Sequence, residues 1–262
     1  MMMSLYNYMS TKTNGDSLKN LNNSKIPHEN RGNQLINEFT KGSIEGEFPE
    51  GTRGIDAEKV QHKTDAPKHL NFGFTPKSNS GNQAFEFCFM DMAGEDLIKI
   101  DFDNNMQLPE SIRTYIEDLD KNNLRFIYII DPAEATATRE KQNKVFDAFI
   151  NLVDQNDKTE VPVLVVISKW DTVDNYTNSK EFLQKKYKKV WGVANHEIRN
   201  FSFMEFSIGK VENSKIIEYD SSFPERLFKW IYKQHTGKDF QNDIVKGTKK
   251  SGWFKEFINK YF

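Results

Sequence analysis

VPVLVVISKWD occupies residues 161–171. Its first seven residues form an aliphatic run without the polar alternation of a half-exposed strand. The run falls far short of the roughly 20 residues a membrane-spanning helix requires. Such a run suits a strand covered on both faces, as in a parallel sheet. It stops abruptly at Ser168, Lys169, Trp170 and Asp171, three of which are polar.

The same pattern recurs on either side. Upstream, REKQNKVFDAFINLVDQ (139–155) carries Val145, Phe149 and Val153 at helical spacing, and NLRFIYIIDP (123–132) is an apolar strand ending in Asp131. Residues 108–119 suit a helix, AFEFCFMD (84–91) is a strand ending in Asp91, and HLNFGF (69–74) alternates like an edge strand. NQLINEFTKGSIEG (33–46) reads as a helix with Leu35, Ile36 and Phe39 on one face. Downstream, NSKEFLQKKYKKVWG (178–192) is an amphipathic helix and NFSFMEFSIGK (200–210) a fourth strong strand. PERLFKWIYKQH (224–235) is a helix with Pro224 at its first position. Strands alternating with helices of this length predict an α/β fold built from parallel βαβ units.

In open parallel sheets ligands bind outside the carboxyl ends of the strands. Three strands here end in groups a ligand can use: Asp91, Lys169 with Asp171, and Ser207 of EFSIGK. Asp171 can accept two hydrogen bonds at once, from the ring N–H and the exocyclic amine of guanine, a pair that adenine does not offer. The stem of Lys169 can lie over a flat base. Gly94, three residues after Asp91, lets a backbone N–H approach a phosphate oxygen closely. Each element alone has little specificity. Asp91 also suits a turn cap, Lys169 and Asp171 also suit solvated groups at a strand end, and Thr52 in FPEGT reads equally as a turn residue. Their order, with one strand–helix unit between DMAGED and SKWD, is the stronger signal.

From about residue 52 to 235 the chain resembles a P-loop GTPase domain of the Ras-like class. FPEGT (48–52), DMAGED (91–96) and SKWD (168–171) resemble, more narrowly, the bacterial double-GTPase type. The resemblance implies an α/β, three-layer P-loop NTPase-like G domain with a mostly parallel sheet, binding GTP or GDP with Mg²⁺. Thr52 would ligate the Mg²⁺ as the switch threonine, and Asp91 would hold it through a water. Gly94 would meet the terminal phosphate, and Glu95 would orient the attacking water. Ser168, Lys169 and Asp171 would recognise guanine, while Ser207 and Ile208 would bring a backbone N–H to its oxygen. Ser168 replaces the usual asparagine, which implies a loop held less firmly. A phosphorelay receiver also places an aspartate and a lysine after successive strands. It needs an earlier acidic pair that the sequence lacks, and it leaves Asp171 and Ser207 unexplained.

A G domain holds phosphates in a Gly-x-x-x-x-Gly-Lys-Ser/Thr loop. The 262 residues contain no such run and no Gly-Lys-Ser/Thr at all. MMMSLYNYMS (1–10) looks like the middle of a helix without a cap. Family order places a helix directly after the phosphate loop. The expectation is therefore that the first strand and the loop are missing and that the chain starts inside the first helix. The missing strand is a central one, between those ending at Asp91 and Asp131. Its loss leaves two unpaired edges. Buried unpaired backbone groups cost about 1–3 kcal/mol each, so the chain is expected to fold poorly on its own.

Lys and Arg number 36 against 38 Asp and Glu, for a net charge of −2, so no basic excess points to nucleic acid. Cys88 is the single cysteine, which rules out an internal disulfide and fits a reducing, cytoplasmic setting. Residues 1–240 read as one GTPase-like domain, with the Asn-rich stretch 14–33 as a loop or insertion. Residues 241–262 read as the basic linker KGTKKSG and an amphipathic helix, WFKEFINKYF. That helix, from Trp253 to Phe262, suits docking on its own domain, on a protein partner or on a membrane surface. The functional expectation is a guanine-nucleotide-binding protein whose intact form is a Mg²⁺-dependent GTP hydrolase or switch. The alternative is a non-catalytic GTPase-like scaffold for a protein partner.

Overall fold

The computed structural model describes residues 1–11, 17–22, 32–38, 40–41, 68–77, 81–91, 116–132, 135–196, 198–212 and 215–241. In chain order its elements are α1 (Met2–Thr11), β1 (Ser17–Asn20), β2 (Lys68–Thr75), β3 (Phe85–Asp91), β4 (Phe126–Ile130) and α2 (Thr136–Gln155). There follow β5 (Val163–Ile167), α3 (Ser179–Lys186), α4 (Lys188–Ala194), β6 (Phe201–Glu205), β7 (Gly209–Glu212), β8 (Lys215–Tyr219) and α5 (Ser222–Thr236). Backbone over 32–38 and 40–41 is also helical, as is 116–118, while 108–115 lies outside the described residues.

The aliphatic run becomes β5, which pairs in parallel with β4 on one side and β6 on the other. All five of its residues are buried. Val163, Val165 and Ile167 join a core with Phe146, Phe149 and Leu183, from α2 and α3. Leu164 and Val166 face the opposite way, into a second core with Leu5 of α1 and Leu227, Phe228 and Tyr232 of α5. A strand covered by helices on both faces has no polar side to alternate with, which explains its composition. The molecule is thus mixed α/β, with a three-stranded parallel sheet flanked by helices.

The sequence reading expects one mostly parallel sheet, and the described strands differ from it. They form three sheets, the parallel β4-β5-β6 and two antiparallel ones, β1-β2-β3 and β7-β8. For β2-β3 and β7-β8 the connections decide this: residues 76–84 and 213–214 are too few for the crossover of about a dozen or more residues that parallel neighbours need. HLNFGF lies in β2, the middle strand of its sheet rather than an edge, because β1 pairs with its outer side. Residues 17–20, inside the stretch assigned to a loop or insertion, are that β1 strand. Its asparagines serve as backbone partners: Asn20 Oδ1 accepts from Asn22 N at 2.9 Å, and Asn22 Oδ1 accepts from Asn71 N at 3.0 Å.

Two helices also differ in detail. Residues 178–192 form two helices that break at Tyr187, whose backbone leaves helical geometry (φ −127°, ψ 58°). α5 begins at Ser222, two residues before Pro224. Proline is tolerated there because the first helical turn needs no N–H from it. The β7-β8 pair was not expected from the sequence, although only two residues separate the two short runs, the size of a hairpin loop.

The antiparallel β1-β2-β3 sheet packs on helix α5 through aromatic side chains. Phe74 meets Phe228 edge-on at 5.1 Å, and Phe85 meets Tyr232 at 5.7 Å. Among the described residues, β3 pairs only with β2 and β4 only with β5. β4 accordingly carries one apolar side chain in water: Ile129 is 47 % exposed, while its neighbour Ile130 is 1 % exposed. No helix among the described residues is long and apolar enough to cross a membrane. The expected terminal helix, 253–262, lies outside the described residues.

Adjacent isoleucines on β4 should therefore behave differently. Ile130→Ala is expected to cost about 2–5 kcal/mol, the usual range for emptying a packed core site. Ile129→Ala is expected to cost no more than about 1 kcal/mol, since half of that side chain is already hydrated. Urea denaturation of the two variants measures the difference.

Candidate functional site

The register of the parallel sheet brings three strand ends together, with Ile130 opposite Ile167 and Ile167 opposite Glu205. The hydrogen-bonded lacing continues past the strands. Ser168 N donates to Ile130 O at 2.9 Å, Phe206 N to Ile167 O at 2.8 Å, and Trp170 N to Phe206 O at 3.1 Å. The loop after β5 is therefore stitched to both of its neighbours.

Ser168 contributes a side-chain bond as well, its Oγ donating to Ile130 O at 3.0 Å. A shorter side chain than asparagine thus still ties this loop to β4. Lys169 follows in the left-handed region (φ 50°, ψ 40°), uncommon for a residue with a Cβ. Its carbonyl receives Thr172 N at 2.9 Å and Thr172 Oγ1 at 2.8 Å. Trp170–Thr172 is a single 3₁₀ turn, which turns the exposed Asp171 toward the β6 loop.

Ser207, 3 % exposed, donates its hydroxyl to Asp171 Oδ1 at 2.5 Å. Gly209 N donates back to Ser207 Oγ at 3.1 Å. Asp171 Oδ2 accepts no hydrogen bond from the described residues. The following turn requires glycine: Gly209 has φ 107°, and a Cβ there would lie 1.9 Å from Glu218 O. Ile208 is half-buried against the second core, and its carbonyl accepts from Asp220 N at 3.2 Å. Ser168, Lys169, Asp171, Ser207 and Ile208 thus meet at one rim of the sheet.

The other expected site residues are not part of this picture. Thr52, Gly94 and Glu95 lie outside the described residues. Asp91 ends β3 with its backbone opposite Lys68, and its side chain lies outside the description. Among the described residues no group of three His, Cys, Asp or Glu side chains is placed to hold a metal.

Two neighbours of the site were not singled out from sequence. Asp131 Oδ2 accepts from Lys169 Nζ at 2.6 Å. Glu205, the last residue of β6, joins two helices beside Ser207. Its Oε1 accepts from Ser179 N at the start of α3 (2.6 Å), and its Oε2 from Arg226 of α5 (3.1 Å). Burial by itself would raise the Glu205 carboxyl, but the bonds from Ser179 and Arg226 outweigh it and leave its pKa below the ordinary value. The available signal was a lone charge ending the aromatic strand FSFME. No protein-family model and no curated protein matches the chain.

A carboxyl with a depressed folded-state pKa stabilises the fold above its unfolded pKa, and that stabilisation is lost as pH falls through the folded value. Glu205→Gln should therefore lower Tm at neutral pH. The gap to the parent chain should close as the pH drops below the usual carboxylate range. Thermal melts across that range check both the sign and the window.

Proposed function

We propose that this rim recognises guanine, and that the chain is the base-recognising part of a guanine-nucleotide-binding domain. The observation that carries the reading is the Asp171 carboxylate, oriented by the buried Ser207 hydroxyl of the adjacent strand end, with Lys169 two residues before it. A planar base with two parallel N–H donors matches a carboxylate held this way. A fixed acceptor forms those bonds without first ordering itself, which is where site geometry contributes to affinity. The lysine stem supplies an apolar cover for one face of the base.

In a form that also carries the phosphate loop, the same domain would bind GTP and GDP with Mg²⁺ and act as a hydrolase or switch. Asp91 and Thr52 would serve the ion, Gly94 the terminal phosphate and Glu95 the water. The 262 residues contain no Gly-Lys-Ser/Thr sequence. In such domains the loop surrounds the phosphates with several N–H groups and a lysine. Base contacts alone amount to a few hydrogen bonds of about 0.5–1.5 kcal/mol net each. The chain as given is therefore expected to bind GDP no more tightly than about 1 mM, near −4 kcal/mol, and to hydrolyse no GTP.

NMR titration with GDP, ADP and xanthosine diphosphate tests the reading. GDP should shift resonances of 168–171 and 207–209, and ADP should not. Asp171→Asn should weaken GDP and favour xanthosine diphosphate, because an amide can donate to the second carbonyl of xanthine. Indifference of GDP binding to Asp171→Asn would remove the residue from the site. Micromolar GDP binding would mean that another segment holds the phosphates. If no nucleotide binds and a protein is captured through Asp171, the scaffold alternative takes over.

A further inference from the structure

We infer that Asp131 is a positioning residue for Lys169, holding the lysine stem across the ends of β4 and β5 before a base arrives. The inference rests on the guanine reading above and adds a residue to it.

An ion pair between side chains 63 % and 50 % exposed contributes little when both chains are free to wander. Here both backbones are pinned. The Asp131 carbonyl accepts from Gln142 Nε2 of α2 at 3.0 Å. The hydroxyl of fully buried Tyr187 lies 3.1 Å from the same carbonyl and 2.7 Å from Gln142 Oε1. Tyr187 can reach this point because its residue breaks the helix between α3 and α4. On the other side, Lys169 is fixed by its left-handed backbone, by the two bonds from Thr172 and by the bonds of Ser168 to Ile130. Only side-chain rotors remain to be ordered when Lys169 Nζ meets Asp131 Oδ2 at 2.6 Å.

The consequence concerns the shape of the site. A lysine with no partner leaves its stem sampling many rotamers, and a base that stacks beneath it must order them on binding. With its ammonium anchored on β4 and its Cα on the loop after β5, the stem already spans the two strand ends. Asp131 thus acts on the base through Lys169, without touching the ligand.

The test has one readout that needs no ligand and one that does. Acylation of the 262-residue chain by an N-hydroxysuccinimide acetate ester, followed by peptide mass spectrometry, reports how freely Lys169 reacts. Asp131→Asn keeps the backbone carbonyl that Gln142 and Tyr187 hold, and it should make Lys169 react several-fold faster. In the GDP titration the same variant should bind about two- to fivefold more weakly, the range an exposed pair supplies. Asp131→Glu, which keeps the carboxylate, should recover part of both effects. A parent chain that binds GDP, with Asp131→Asn matching it in affinity and in Lys169 reactivity, overturns this inference and leaves the guanine reading standing. A parent chain that binds no GDP overturns both.

Discussion

Parallel pairing of β5 with strands on both sides is the constraint from which the site follows. Five buried aliphatic residues leave the strand no exposed face, and each fully buried side chain of that size contributes about 1.5–3 kcal/mol. A slip of one residue would move each side chain into the opposite core, where it would not fit the packing formed around its neighbour, so register is held by close packing on both faces. Register in turn aligns Ile130, Ile167 and Glu205. The residues that follow them, Asp131, Ser168 and Phe206, begin the loops from one common edge. The bonds from Ser168 to Ile130 and from Phe206 to Ile167 extend that alignment past the end of regular structure. The loops on this rim are therefore placed by aliphatic packing deep in the sheet.

Much of this was legible in the sequence because it depends on local pattern. The apolar runs at 85–91, 126–130, 163–167 and 201–205 are strands, and Val145, Phe149 and Val153 lie on the buried face of α2. Asp171 and Ser207 were each legible as polar groups after apolar strands, but the hydrogen bond between them depends on the pairing of β5 with β6. What escaped was set by long-range partners. β1 is polar and short, with one side chain, Leu18, packed against the core, so its composition matches that of a loop. Only pairing with β2 makes it a strand. The break at Tyr187 left no propensity signal, and the groups its hydroxyl meets, the Asp131 carbonyl and Gln142, lie 56 and 45 residues away in the chain. Asp131 was visible as an acid at a strand end, but its partner depends on the left-handed backbone of Lys169.

Glu205 and Ser168 show two ways in which the rim gains rigidity without large buried area. Glu205 gathers the N-terminus of α3, Arg226 of α5 and the end of β6 around one carboxylate. A negative group at a helix N-terminus is also favoured by the helix dipole. Ser168 uses both its N–H and its hydroxyl on a single carbonyl of β4. Each bond contributes modestly, but together they leave few torsions free between the three loops.

Trp170 sits in the middle of the loop that carries Lys169 and Asp171. Its ring is partly buried, edge-on to Phe182 at 6.0 Å. The chain has four tryptophans, and the other two described ones, Trp191 and Trp230, belong to α4 and α5. The rim therefore carries its own fluorophore. A ligand on the rim would change the dielectric around this indole, and a stacked heterocycle would quench it, so in a variant with the other three tryptophans replaced by phenylalanine the emission would record events at this loop.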